Sequence, residues 1–151
     1  MNKETLNNLL IKASEKDKMQ TVEFLLDNGA DIHAYNDYAL RWASSNGQTE
    51  TVKLLLDRGA DIHAYNDCAL RLASENGHTK VVKLLLDRGA DIHAYGDYAF
   101  CLASANGHTE TVKLLKEHIA KLENIGTIKI GEHKYNKQEL EELLKDIKPI
   151  N

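Results

Sequence analysis

The side chains in this chain that could do chemistry are seven histidines, two cysteines and 23 carboxylates. Three of the histidines, His33, His63 and His93, recur in the same surroundings, GADIHAY, as the ligands of a repeated metal site would. Zinc requires all of its ligands about 2 Å from one ion, whereas equivalent positions in a packed array lie about 8–10 Å apart. The three cannot converge, so they read as turn histidines that hydrogen-bond locally or face water. His78 and His108 each follow a glycine and read the same way, and no carboxylate or thiol constellation surrounds His118 or His133. Cys68 and Cys101 have no CxxC spacing and read as free, reduced thiols. Nucleophile motifs, glycine-rich phosphate loops and HExxH are missing. The sequence assigns no catalytic residue, no metal ligand and no cofactor, and the expectation is that the chain is not an enzyme.

What positions these residues is repetition. GADIHAYNDYALR at 29–41 returns as GADIHAYNDCALR at 59–71 and GADIHAYGDYAFC at 89–101, and Asp37–Asn66 matches Asp67–Gly96 at 23 of 30 positions. A fixed period of this length marks a stacked array. Each unit carries two helical signals, YALRWASSNG at 38–47 and TETVKLLLDRG at 49–59, each ending on a glycine suited to the left-handed conformation that stops a helix. Thr49, Thr79 and Thr109 are placed to cap the second helix through their hydroxyls. Val52, Leu55 and Leu56 give that helix an apolar side, while Lys53, Asp57 and Arg58 stay wet. Helices of about ten residues do not hold themselves together; they must stack on neighbours.

The Asn-Gly-(His/Gln) segments at 46–48, 76–78 and 106–108, the VKLLL segment and the GADIHA turn together resemble the ankyrin repeat family over roughly residues 4–120. The first helix opens YALR, CALR or YAFC where the family usually has TPLH, and the unit is 30 residues long where the family's is about 33. Shortened repeats with an ALR segment are similar to those in ankyrin proteins of giant viruses. The resemblance implies an all-α ankyrin-type helical repeat solenoid that binds another protein, with the first helices lining a concave groove and the connectors forming an exposed finger edge.

The ends depart from the middle, as terminal units of a stack must. Residues 1–36 read as an N-terminal capping repeat, 37–66 and 67–96 as full repeats, and 97–125 as a last repeat whose second helix runs on because Ile119 replaces the terminating glycine. Residues 126–151 change pattern: Thr127–Ile130 and His133–Tyr135 read as a small β-hairpin, and Leu140, Leu143, Leu144 and Ile147 make a helical apolar stripe before Pro149. That stripe either caps the last repeat or supplies a contact to a partner or to a second copy, leaving a monomer or a weak homo-oligomer.

The binding residues are sought where the repeats differ and where aromatics gather. Tyr35, Tyr38, Tyr65, Tyr95 and Tyr98, five of the six tyrosines, lie between the GAD turn and the next helix. Tyrosine offers large contact area at little rotamer cost; alternatively Tyr35, Tyr65 and Tyr95 stack on one another as a ladder that stiffens the array. The first helices vary as Arg41-Trp42, Arg71-Leu72 and Cys101-Leu102, then Ser45, Glu75 and Ala105. Trp42 either reads a partner or fills space under the N-terminal cap, and Arg41 and Arg71 could pair with Asp37 and Asp67 across a helical turn. The candidate protein-binding set is therefore Tyr35, Asp37, Tyr38, Arg41, Trp42, Ser45, Tyr65, Asp67, Arg71, Glu75, Tyr95, Asp97 and Tyr98. A net charge of -4 lacks the basic footprint of nucleic-acid binding. No apolar run of about 18 residues is present for a membrane span, and no secretion signal is visible at the N-terminus. The expected setting is cytoplasmic, with a viral or microbial factor that sequesters a host protein as the leading context and an adaptor or self-assembling protein as the alternative.

Overall fold

The computed structural model describes residues 1–125, 127–130 and 133–136, with side chains through residue 123. Helices α1 (Lys3–Glu15), α3 (Ala34–Ser45), α5 (Ala64–Glu75) and α7 (Ala94–Ala105) form one row, each packing on the next. Helices α2 (Met19–Asp27), α4 (Thr49–Asp57) and α6 (Thr79–Asp87) form a second row, and α2, α4 and α6 pack on α1, α3 and α5 respectively. The chain divides into two compact units, Met1–Leu115 and Lys116–Asn151; α8 (Thr109–Ile125) begins in the first and continues into the second.

Small residues let the first row close up. Ala39, Ala43, Ala69, Ala73, Ala99 and Ala103 are all buried, and Leu10, Leu40 and Leu70 fill the space beneath them. The second row contributes Val22, Leu25, Val52, Leu55, Val82 and Leu85, each buried. Burying one such side chain is worth about 1.5–3 kcal/mol, and because the pattern repeats, the core is a continuous strip. Gly29, Gly59 and Gly89 stop the second-row helices at φ +90°, +93° and +93°. At the first of them Gly29 N–H donates to Leu26 O and Ala30 N–H to Leu25 O, which satisfies carbonyls the helix end leaves open. Where Ile119 replaces that glycine, α8 runs for 17 residues against nine in α4 and α6.

Two local expectations are corrected. Thr49 and Thr79 are the first residues of α4 and α6, and the capping positions before them, Gln48 and His78, make no side-chain cap bond. The Thr79 hydroxyl instead meets the Thr111 hydroxyl at 2.8 Å, tying one repeat to the next. No β-finger projects from the connectors among the described residues of the first unit, because three left-handed residues turn the chain directly into the first helix.

In the second unit, β1 (Thr127–Ile130) and β2 (His133–Asn136) pair antiparallel, with Thr127 opposite Asn136 and Ile130 opposite His133. The helix expected around Leu140, Leu143, Leu144 and Ile147 lies outside the described residues.

Candidate functional site

The tyrosine-bearing connectors have an unusual backbone. Tyr35, Asn36 and Asp37 stand at φ 55°, 57° and 52°, and Tyr65, Asn66 and Asp67 at 56°, 57° and 49°. Each left-handed L-residue costs about 1–2 kcal/mol, so three in succession must be held in place. One holder is the aspartate: Asp37 Oδ1 lies 3.1 Å from His33 Nδ1 and accepts the Asp61 N–H at 2.7 Å. Asp67 repeats this with His63 at 3.1 Å and the Asp91 N–H at 2.8 Å. In the first repeat Asn7 takes the acceptor's place, receiving the Asp31 N–H at 2.7 Å.

The other holder is arginine. Arg41 donates from Nε to Asn36 O at 2.9 Å and from Nη2 to Tyr35 O at 2.7 Å. Arg71 does the same to Asn66 O at 3.1 Å and Tyr65 O at 2.9 Å. In the last repeat Cys101 stands where the arginine would, and the central residue of the turn becomes Gly96, at φ +70°. Glycine takes that conformation without a Cβ penalty, so the turn forms without its clamp.

This corrects two sequence expectations. Arg41 and Arg71 pair with turn carbonyls, not with Asp37 and Asp67, whose carboxylates already receive a histidine and a backbone N–H. Asp37 and Asp67 are only 3% and 4% exposed, so they leave the candidate binding set and belong to the scaffold. Asp97 differs: its side chain is exposed and holds only His93 among the described residues.

The tyrosine ladder also takes a different form. Tyr35, Tyr65 and Tyr95 are exposed, and the rings of Tyr65 and Tyr95 face the guanidinium of the preceding repeat, Arg41 and Arg71 respectively, instead of stacking on one another. The Arg41 guanidinium carbon lies 4.9 Å from the Tyr38 ring and 5.3 Å from the Tyr65 ring, and that of Arg71 lies 5.2 Å from Tyr95. Tyr38 stacks on Trp42 at 5.5 Å with planes 13° apart, and Tyr95 meets Tyr98 edge-on at 5.6 Å. A column therefore runs Tyr65–Arg41–Tyr38–Trp42 across two repeats.

Trp42 ends this column half-exposed, in an open groove of about 450 Å³ lined by Asn8, Ile11, Lys12, Glu15, Tyr38 and Trp42. Asn8, Ile11, Lys12 and Glu15 were missed from the sequence, although they precede Tyr38, Arg41, Trp42 and Ser45 by one 30-residue period. The self-alignment could have found them. Ser45 and Glu75 sit at the far end of their helices, where their carbonyls accept His78 Nε2 at 2.9 Å and His108 Nε2 at 2.8 Å. The Glu75 side chain is exposed.

The arrangement offers contact area, one groove and fixed charges. Among the described residues no three His, Cys, Asp or Glu side chains gather where they could hold a metal ion, and no helix is long and apolar enough to cross a membrane. The stacked two-helix units define a helical repeat protein. A family model described as ankyrin repeats in three copies matches residues 9–96 and 70–128, and the chain belongs to that family. Ankyrin repeats are generally protein–protein interaction modules and typically non-catalytic.

Proposed function

We propose that this chain is an intracellular, cytoplasmic protein-binding module that engages its partner on the first-row face, through the Tyr65–Arg41–Tyr38–Trp42 column, Tyr35, Arg71, Glu75, Tyr95 and Tyr98. The observation that carries this reading is the column itself: one exposed and two half-exposed aromatic rings packed on the Arg41 guanidinium and on each other beside an open groove. Aromatic and arginine side chains dominate binding hot spots, and a preformed surface loses little entropy on association. The setting we favour is a viral or microbial factor that sequesters a host protein, which rests on the likeness of the shortened repeats to those of giant-virus ankyrin proteins. The second reading is an adaptor or self-assembling protein in which the apolar stripe of Leu140, Leu143, Leu144 and Ile147 supplies another contact; the sequence of that stripe supports it.

The test is affinity capture from host lysate with the full chain, beside Trp42→Ala and Tyr65→Ala. Loss of a captured protein with both variants, at unchanged melting temperature, is the expected result. Capture that survives both but fails when the chain stops at Gly126 moves the interface to the C-terminal segment.

A further inference from the structure

The two clamp arginines have chemistry left over. A guanidinium carries five N–H donors; Arg41 and Arg71 each spend Nε–H and one Nη2–H on consecutive carbonyls of the left-handed turn. That leaves the end-on pair, Nη1–H with the second Nη2–H, which has no assigned acceptor among the described residues. Neither arginine has a carboxylate within salt-bridge distance there, unlike Arg58, which holds Glu23 and Asp27, and Arg88, which holds Asp57. Both remain half-exposed. An end-on guanidinium edge matches the two oxygens of a carboxylate, and the flanking rings of Tyr38, Tyr65 and Tyr95 hold each edge in place.

We infer that the first-row face recognises an extended acidic peptide segment of a partner protein, one carboxylate seated on Arg41 and the next on Arg71. The inference rests on the proposed binding face and names the chemistry of its partner. Neighbouring helices lie about 8–10 Å apart, which an extended chain in the polyproline II conformation covers in one turn of about three residues, bringing the side chain back to the same side, so the segment carries acidic residues at every third position. Lys12, in the groove beside Trp42, extends the positive line toward the first repeat. Carboxylate fits better than phosphate because each station presents a single guanidinium with two donors already spent, and a phosphate dianion calls for more donors than that.

The experiment titrates the full chain with labelled peptides carrying two aspartates about three residues apart, beside peptides with asparagine or phosphoserine at the same places. The aspartate peptide should bind about tenfold tighter than the asparagine peptide, and that gap should shrink as salt rises. Arg71→Cys combined with Asn66→Gly copies the way the last repeat builds its turn, so it should stay folded, melting above Arg71→Ala, and erase most of the gap. Equal binding of the aspartate and asparagine peptides, stronger binding of the phosphoserine peptide, or an unchanged gap in that folded double variant overturns the inference. Panning random peptides on the same chain separates this failure from that of the binding face. Binders that are not acidic but are lost with Trp42→Ala or Tyr65→Ala sink only the acidic specificity, and binders indifferent to all these variants sink both readings.

Discussion

Arg71 and Cys101 hold the same place in successive repeats, yet only one of them can clamp a turn. Arg71→Ala uncovers the carbonyls of Tyr65 and Asn66 and loses the contact with Tyr95. It should cost about 1 kcal/mol in urea unfolding, and Asn66→Gly added to it should recover part of the loss. A double variant no more stable than Arg71→Ala would show that the arginine does not hold the left-handed turn. The aspartates give a sharper contrast. Asp67→Ala takes the buried carboxylate acceptor from the Asp91 N–H and removes the partner of His63, and should cost about 1–3 kcal/mol. Asp97→Ala, at an exposed site, should stay within about 0.5 kcal/mol of the parent. Asp31 adds a pH dependence: the Lys3 ammonium at 3.2 Å, then the His33 N–H, hold its carboxyl below the usual carboxylate range. Its contribution is therefore complete above the unfolded value of 3.8 and is lost as pH falls through the lower folded value.

Between elements, the repeats are matched by a glycine and a histidine. A Cβ on Gly47 would lie 2.5 Å from His78 Nδ1, and one on Gly77 would lie 2.5 Å from His108 Nδ1, so a histidine ring occupies the space each glycine leaves. The first repeat has Asp17 at this place, and the matching residue of the next repeat is not histidine but Gln48, whose Nε2 donates to Glu15 O at 2.6 Å. Asp17 accepts the Thr51 hydroxyl at 2.8 Å in addition. Gly47→Ala should therefore be more damaging than Gly59→Ala, since both bring a side chain to positive φ but only the first meets a neighbour. The second should cost about 1–2 kcal/mol. His78→Gln should relieve part of the Gly47→Ala loss, and a double-mutant cycle with no coupling would refute the matching.

For the whole molecule, stability in a stack sums unit by unit through neighbouring contacts. Amide exchange should be slowest at Asp61 and Asp91, whose N–H groups point at buried carboxylates in the middle repeats, and faster at the turn of Asp97. Uniform exchange across the repeats would argue for a single cooperative block. Each turn histidine already faces its own aspartate and Cys68 is buried apart from exposed Cys101. Neither zinc, a chelator nor a reductant should move the melting temperature.

The period, the helix pairs, the glycine stops and the valine–leucine side of the second helices were legible in the sequence because they are local: a glycine's freedom and an apolar stripe act within a few residues and repeat unchanged. The variable positions of the first helices could also be read, since the repeats differ there against a constant background. What only the tertiary structure decided was which of those positions are buried, which hold a turn and which are exposed. Asp37, Arg41 and Tyr65 look alike in a string of polar and aromatic letters, yet one is buried, one clamps a turn and one is exposed. Their roles depend on three consecutive left-handed residues that no propensity favours, and these are stable only because side chains about four to six residues away, and a backbone N–H 24 residues away, close on them. The last of these bonds crosses between repeats, and its geometry exists only once they have stacked.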